Sequence, residues 1–298
     1  MIAAPAGDAV DARQPLAGRD PLVDVHAHFL HAGCGRADWA AVNAARMRAG
    51  ARIGISCHVA SVLGSWGHTS PVYFPSPPDV ERGNAEMLAL QRAEPQRLRG
   101  YVVVNPNYTG HALAEIERRV AAGAVGLKLL ASRRADDPLL DAVIEAAARH
   151  RLPVLHHIWQ HRTRHWPSQD ISDGADLARL AARHPTVSFI LAHIGGGGDY
   201  AHTFAAVRDV PNILLDLSGS GVDRGMLDDA LAAVGAGRLL WGADVTLETG
   251  LAKLWALDVI GLSSADRAAV RWRNAVRIFP PGTFDMLHDP ADTAEPPA

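Results

Sequence analysis

Short apolar runs rich in β-branched residues alternate with alanine-rich amphipathic segments along most of the chain, and this alternation predicts strands followed by helices. The predicted strands are Leu22–His28, Arg52–His58, Arg99–Val104, Ala124–Leu130, Pro153–His157, Val187–His193, Asn212–Leu217 and Arg238–Asp244. The predicted helices are Ala37–Ala49, Asp79–Ala93, His111–Ala122, Leu139–His150, Asp173–Arg183, His202–Arg208, Met226–Val234, Thr249–Leu257 and Ala265–Arg277. Strand starts are about 25 to 35 residues apart, the length of a βα unit, except for one longer gap after the second strand.

Eight strands that are each followed by a helix predict an α/β protein with a (β/α)8 TIM barrel fold. Several strands, such as SFILA at 188–192, are apolar almost throughout, which suits a parallel sheet covered on both faces. The alternative is a doubly wound open sheet, but no Gly-x-Gly-x-x-Gly turn follows the first strand. We therefore expect one barrel domain at residues 20–288, between disordered tails at 1–19 and 289–298.

The connection after the second predicted strand, residues 61–78, is unusually long and rich in proline, serine and glycine. Its aromatic side chains are Trp66, His68, Tyr73 and Phe74. Loops of this length inside a compact domain are usually functional or disordered. Two interpretations stay open here, a mobile surface loop and a lid over a site.

Composition excludes several classes of protein. With 29 basic and 32 acidic residues and a net charge of −3, the chain lacks the basic footprint of a nucleic-acid-binding or membrane-surface protein. Cys34 and Cys57 are too few for a disulfide scaffold or a four-cysteine zinc site. No apolar run reaches the roughly 18 residues of a membrane span, and the first residues do not read as a signal peptide. We expect a cytoplasmic protein with a small-molecule partner, no nucleic-acid or membrane partner, and an oligomeric state left open.

The fifteen histidines are the unusual feature of the composition, and several of them fall at the ends of predicted strands. His26 and His28 close the first strand and, two residues apart, project to the same side. The other polar residues on strands are Lys128 on the fourth, His156 and His157 on the fifth, His193 on the sixth and Asp244 on the eighth. The carboxyl ends of all barrel strands lie on one rim, so these nitrogen and oxygen atoms converge. That convergence favours a divalent metal site over buried structural histidines.

Seven segments together carry a resemblance to a known family. They are DVHAH at 24–28, GLKLL at 126–130, LPVLHHIW at 152–159, FILAHIGGG at 189–197, NILLDLSG at 212–219, LLWGAD at 239–244 and NAVRIF at 274–279. With them the chain resembles the amidohydrolase superfamily, and within it the amidohydrolase-related branch of metal-dependent barrel hydrolases and decarboxylases. The resemblance spans roughly residues 20 to 280 and is poorly specific for substrate.

The resemblance implies a metal centre formed by His26, His28, His157 and Asp244. It implies His157 rather than His156, because the histidine of the family follows its Leu-Pro pair by the same spacing, and strand neighbours point to opposite faces. His193 would either bind a second metal or act as an acid–base group beside a single one.

Asp244 and His193 are the catalytic residues implied by the resemblance. Asp244 would take a proton from the water that the metal activates and return it to the leaving group. Asp24 of the DVHAH segment is expected to orient the strand or a ligand rather than to bind metal. At the seventh strand end, Asp216 and Ser218 would line the pocket or make structural hydrogen bonds.

Zinc is the expected metal, because a histidine-rich set with one carboxylate suits it, while manganese and iron stay open. One ion is expected, or two if a carboxylated Lys128 bridges them. Lys128 is otherwise a candidate for binding a substrate carboxylate, together with Trp159, Arg162 and Arg164. The two arginines follow the fifth strand and would attract an anionic substrate, although a solvated basic loop is equally consistent with them.

The leading functional hypothesis is a metal-dependent hydrolase that cleaves an amide, ester or lactone of a small carboxylated molecule. The first alternative is a non-oxidative metal-dependent decarboxylase of the same branch, which uses the same strand-end residues. The second is a metal-independent lactonase, and the complete set of candidate ligands argues against it. A non-enzymatic binding barrel would be expected to lack some of these residues.

Overall fold

Eight parallel strands pair in chain order in the computed structural model, which describes residues 20–62, 73–160, 169–196, 198–219, 221, 225–244 and 247–287. The strands are β1 (Val23–His28), β2 (Cys57–Ser61), β3 (Leu98–Val104), β4 (Gly126–Leu129), β5 (Val154–His156), β6 (Phe189–Leu191), β7 (Ile213–Asp216) and β8 (Leu239–Leu240). The sheet closes where the Val25 N–H donates to the Trp241 carbonyl over 3.1 Å and where Ala27 pairs with Asp244. The predicted (β/α)8 barrel is confirmed, and this strand order excludes the open doubly wound sheet.

The helices that cover the barrel are α1 (Trp39–Arg52), α2 (Pro77–Ala93), α3 (Thr109–Ala121), α4 (Asp141–Arg149), α5 (Gly174–Arg183), α6 (Tyr200–Val207), α7 (Met226–Val234), α8 (Leu247–Val259), α9 (Ser264–Ala268) and α10 (Asn274–Ile278). A π-helical turn, Ala269–Arg273, joins α9 to α10, and short 3-10 turns lie at Pro106–Tyr108, Pro138–Leu140, Ile194–Gly196 and Ala236–Arg238. Local sequence explains some helix starts: Ser76 and Asp79 form a capping box at α2, as Asp173 and Asp176 do at α5. Among these described helices, none is both long and apolar enough to cross a membrane.

Several predicted boundaries are wrong. Strand β2 covers Cys57–Ser61 instead of 52–58, because α1 continues to Arg52 and the chain turns at Gly54 with a φ of 87°. Strand β8 ends at Leu240 instead of 244. The long connection after β2 is shorter than the predicted 61–78, because Ser61 belongs to β2 and Pro77 begins α2. Trp66 and His68 in that connection lie outside the described residues.

The described residues contain three clusters of buried apolar side chains, and the two larger ones pack against the barrel strands. Between sheet and helices lies a large cluster that includes Leu127, Phe189 and Leu215. A second cluster, which includes Tyr101 and Leu240, extends to Phe279 and Phe284 beyond the last helix. The polar strand-end residues are therefore held on a fully packed scaffold.

Candidate metal centre

Side chains from three strand ends meet at the carboxyl rim of the barrel. The Nε2 atoms of His26 and His28 are 3.1 Å apart. The Oδ1 atom of Asp244 lies 3.1 Å from His28 Nε2 and 3.8 Å from His26 Nε2, and its Oδ2 atom lies 3.5 Å from His193 Nε2. Ligand atoms of His26, His193 and Asp244 lie within 4.8 Å of one another. Four of the five residues predicted as ligands thus share one cluster.

His157 borders this cluster through its ring. Its centroid is 4.6 Å from that of His193, and its buried Nε2 atom has no hydrogen-bond partner among the described residues. A buried polar atom without a partner costs about 1–3 kcal/mol, so a ligand at this atom would remove that cost. The donor set present, four imidazoles and one carboxylate, fits a divalent cation of the zinc or manganese type.

His156, the neighbour of His157, occupies a different environment. It is fully buried, and its Nδ1 atom lies 3.0 Å from the carbonyl oxygen of His157. Burial lowers the pKa of His156 to about 4. Its Nε2 atom also lacks a hydrogen-bond partner within the described part of the chain. No ring contact joins His156 to the imidazoles described above, which do contact one another.

Strand β7 orients the first of the candidate ligands. His26 Nδ1 lies 2.6 Å from Asp216 Oδ2, which also accepts a hydrogen bond from the Ser218 hydroxyl over 2.5 Å. Burial lowers the pKa of His26 well below its ordinary value and raises the pKa of Asp216 to about 6. Near neutral pH the imidazole is therefore neutral and the carboxylate ionised, so Nδ1–H donates to Asp216. The lone pair of Nε2 then faces the cluster.

Asp244 supplies the negative charge of the site. Burial opposes its ionisation, but the neighbouring His193, His28 and His26 hold the pKa of Asp244 well below its ordinary value. Burial lowers the pKa of His28 and of His193. The centre therefore presents neutral imidazole nitrogens and an anionic oxygen, the protonation states in which these groups bind metals.

The backbone holds two of these side chains in an uncommon conformation. Asp244 and His193 have φ angles of 55° and 64°, in the left-handed region that non-glycine residues rarely adopt. The Asp244 N–H donates to the His26 carbonyl over 2.6 Å. Such strained residues persist only where surrounding contacts fix them, and they cluster at functional sites.

Lys128 lies inside the cluster rather than at its edge. Its side chain is fully buried, and its Nζ atom is 2.9 Å from His26 Nε2. Burial lowers the pKa of Lys128 to about 8. Because Nε2 of a neutral imidazole has one lone pair, it cannot accept a hydrogen bond from Lys128 and bind a metal at the same time.

Aromatic side chains flank the imidazoles. The Trp159 ring lies 5.2 Å from that of His157 and 5.4 Å from that of His193, and Tyr73 lies 5.1 Å from His157. The sequence prediction included Trp159 but placed Tyr73 only in the long connection, where a lone aromatic residue gave no specific signal. Burial raises the pKa of the Tyr73 hydroxyl, with a further contribution from the charge of Asp244. Arg162 and Arg164, the predicted anion-binding residues, lie outside the described residues.

The barrel and its rim of histidines and one aspartate define the class of protein. The sequence model of the amidohydrolase family (Amidohydro_2) matches residues 23–280, so the chain belongs to this family. No curated protein matches the sequence.

Several solved structures share the fold. 2,6-Dihydroxybenzoate decarboxylase from Rhizobium is 17% identical, with a TM-score of 0.66 over 87% of this chain and 98% of that one. 5-Carboxyvanillate decarboxylase from Sphingomonas paucimobilis has the same identity, coverage and TM-score. Dihydroxybenzoic acid decarboxylase from Polaromonas sp. JS666, with bound manganese and the inhibitor 2-nitroresorcinol, is 18% identical with a TM-score of 0.63 over 87% of this chain and 97% of that one.

Proposed function

We propose that this protein is a divalent-metal-dependent, non-oxidative decarboxylase of a small aromatic carboxylic acid. The ionised Asp244 among the neutral imidazoles of His26, His28 and His193 supports the metal dependence. The observation that carries the choice of an aromatic acid is the pair of aromatic rings that contact His157. The flanking rings of Tyr73 and Trp159 suit an aromatic substrate. Solved structures of the same fold that are described as decarboxylases of hydroxylated benzoic acids support this choice.

His26, His28, His157 and Asp244 would hold the metal, with His193 beside it. A divalent cation held there would supply Lewis acidity toward the anionic oxygens of a substrate. Zinc suits the histidine-rich set, and manganese is the ion bound in the Polaromonas relative. Metal analysis of the purified protein distinguishes the two ions and counts them, which also tests whether Lys128 bridges a pair.

Decarboxylation breaks the bond between the carboxylate group and the substrate carbon that carries it, releases CO2 and requires one proton at that substrate carbon. Asp244 and His193 are the acid–base groups at the rim. We assign the transfer to Asp244. Because Asp244 is ionised, it must take up one proton, which solvent supplies, before it can give one to the substrate carbon. The Nδ1–H of neutral His193 faces the Ile158 carbonyl, so its Nε2 lone pair, 3.5 Å from Asp244 Oδ2, can accept that solvent proton and pass it to the carboxylate.

A metal-dependent hydrolase is the second candidate, and the same ionised Asp244 favours it. An aspartate with a low pKa is ready to act as a general base toward water, without a prior proton uptake. The products separate the two reactions. A decarboxylase releases CO2, whereas a hydrolase releases an acid together with an amine or alcohol, or opens a lactone.

The test is a substrate panel on protein loaded with Mn²⁺ or Zn²⁺ and on protein stripped by a chelator. Carboxyl-labelled dihydroxybenzoates report CO2, and small amides, esters and lactones report hydrolysis. We expect labelled CO2 only from the loaded protein, and an Asp244→Asn variant of matched metal content should lose activity by about 10²- to 10⁴-fold. Hydrolysis without CO2 would select the second candidate, and equal activity in the stripped protein would contradict both.

A further inference from the structure

The Asp24 side chain joins the two chain segments that carry the candidate ligands. Asp24 is fully buried, and its Oδ1 atom accepts hydrogen bonds from the backbone N–H groups of His26, over 3.2 Å, and Ala243, over 2.9 Å. His26 is a candidate ligand on β1, and Ala243 immediately precedes Asp244. One carboxylate oxygen therefore links the β1 end of the metal centre to its β8 end.

Strands β8 and β1 meet where the barrel closes, and regular pairing is sparse at this seam between them. The β8 ladder ends at Leu240, four residues before Asp244. Beyond it, the Val25 N–H donates to the Trp241 carbonyl and the Asp244 N–H donates to the His26 carbonyl. The position of Asp244 relative to His26 thus depends on a few individual hydrogen bonds, and the side chain of Asp24 accepts one that crosses the seam.

The other oxygen of Asp24 is fixed from outside the barrel. Its Oδ2 atom lies 2.8 Å from Nδ1 of His58 on β2 and 3.4 Å from the Arg46 guanidinium on α1. The register of β1 against β2 shifts between Asp24 and Ala27. This irregularity lets Asp24 contact α1 while His26, two residues later, contacts the candidate metal cluster. With bonds on both oxygens, the carboxylate is held in one orientation.

We propose that Asp24 is a positioning residue that sets the separation of His26 and His28 from Asp244 and thereby the affinity of the site for its metal. The inference rests on the metal centre of the proposed function and adds a residue that does not itself touch the metal. Residues that orient metal ligands typically contribute about 10- to 100-fold to the affinity for the metal.

The experiment is a Co²⁺ titration of the full-length protein that records the dissociation constant and the visible absorption spectrum, which reports ligand geometry. Asp24→Ala should bind Co²⁺ about 10- to 100-fold more weakly and with an altered spectrum. Asp24→Asn should recover most of the affinity, because its amide oxygen can still accept both backbone N–H bonds. An Asn variant as weak as the Ala variant would show an effect of charge rather than position and would overturn the proposal.

Asp176 on α5 offers a matched control. It is also fully buried, and its carboxylate accepts hydrogen bonds from the Asp173 N–H, over 3.0 Å, and the Arg134 guanidinium, over 2.9 Å. Asp176→Ala should lower the free energy of unfolding but leave the Co²⁺ dissociation constant and spectrum unchanged. Equal weakening of Co²⁺ binding in both alanine variants would mean that general destabilisation moves the readout, and the proposal would fail.

His58 keeps the test decisive if Asp24→Ala does not fold. His58→Leu removes the hydrogen bond to Oδ2 and should weaken Co²⁺ binding, whereas His58→Asn, whose amide can donate in place of Nδ1, should bind close to wild type. A wild-type dissociation constant and spectrum in a folded Asp24→Ala or His58→Leu variant would overturn the positioning role of Asp24 but would not affect the proposed metal centre. Wild-type protein that binds no Co²⁺ would instead refute the metal centre itself.

Discussion

At the scale of single residues, the two adjacent histidines of β5 make the sharpest distinction. Both residues have a buried Nε2 atom without a hydrogen-bond partner among the described residues, but the His157 ring contacts that of His193, whereas His156 Nδ1 lies against the His157 carbonyl. We predict that His157→Gln loses most of its bound metal and that His156→Gln keeps it. The reason is that removing a ligand weakens the site directly, while His156 contacts it only through the backbone. Metal content after dialysis, measured by mass spectrometry, checks both variants.

The free energy of unfolding of both variants serves as the control, since each substitution alters a buried side chain. Metal lost in His156→Gln and kept in His157→Gln would reverse the assignment. Equal loss in the two variants, in proportion to the unfolded fraction, would show that folding rather than ligation controls metal content.

The site residues could be predicted because the apolar pattern locates the strand ends, and a barrel brings the side chains at these ends to one rim. The placement of His26, His28, His193 and Asp244 in one cluster follows from this rule. Other contacts depend on strand tilt and closure. The contact between His26 and Asp216, 190 positions apart, is of this kind, and the sequence left the role of Asp216 open.

At the scale of elements, the pattern predicted each strand but not all strand limits. Leu239–Leu240 is the whole of β8, although the apolar segment that predicts it continues. Beyond Leu240 the chain is held by individual contacts instead: the Ala243 N–H donates to the Asp24 side chain, and Asp244, whose backbone is left-handed, forms a single bridge with Ala27. Apolar alternation reports burial, which continues past the last ladder hydrogen bond, so it overestimates the strand.

Helix α2 completes the hydrogen bonding of β3 through one amide. Strand β2 pairs with β3 only as far as Gly100, and further along the Asn84 side chain bonds both the N–H and the carbonyl of Val103, over 2.8 and 2.9 Å. Asn84→Leu leaves these buried groups unsatisfied at about 1–3 kcal/mol each. We therefore predict a loss of about 2–6 kcal/mol in the free energy of unfolding, measured by urea denaturation.

Gln91, two turns further along α2, is the matched control. Its amide makes the same type of contact, with the Gly100 N–H and the Gly123 carbonyl, but in a half-buried position. Water can replace these bonds, so Gln91→Met should cost less than about 1.5 kcal/mol. A loss in Asn84→Leu no larger than that in Gln91→Met would contradict the argument from burial.

At the scale of the whole molecule, the structure buries several imidazoles on or just after the barrel strands. Burial lowers the pKa of each of the described residues His26, His28, His58, His156, His157 and His193. In the unfolded chain each pKa returns to about 6.5. As the pH falls below that value, the unfolded state binds protons that the folded state does not, and the free energy of unfolding must fall.

We predict that the metal-free protein loses stability steeply between about pH 7 and about pH 5, by more than about 1.4 kcal/mol per pH unit, because several imidazoles act together. The pKa of Asp216, raised by burial to about 6, changes stability in the opposite direction as the pH falls, but it is one carboxyl against six imidazoles. Urea denaturation of chelator-treated protein across this range measures the slope. His156→Leu removes one imidazole whose pKa is about 4 in the folded protein. The free energy of unfolding of this variant should therefore depend less steeply on pH, by up to about 1.4 kcal/mol per pH unit, which corresponds to one proton. A free energy of unfolding that does not change with pH would show that these imidazoles are not buried in their neutral form.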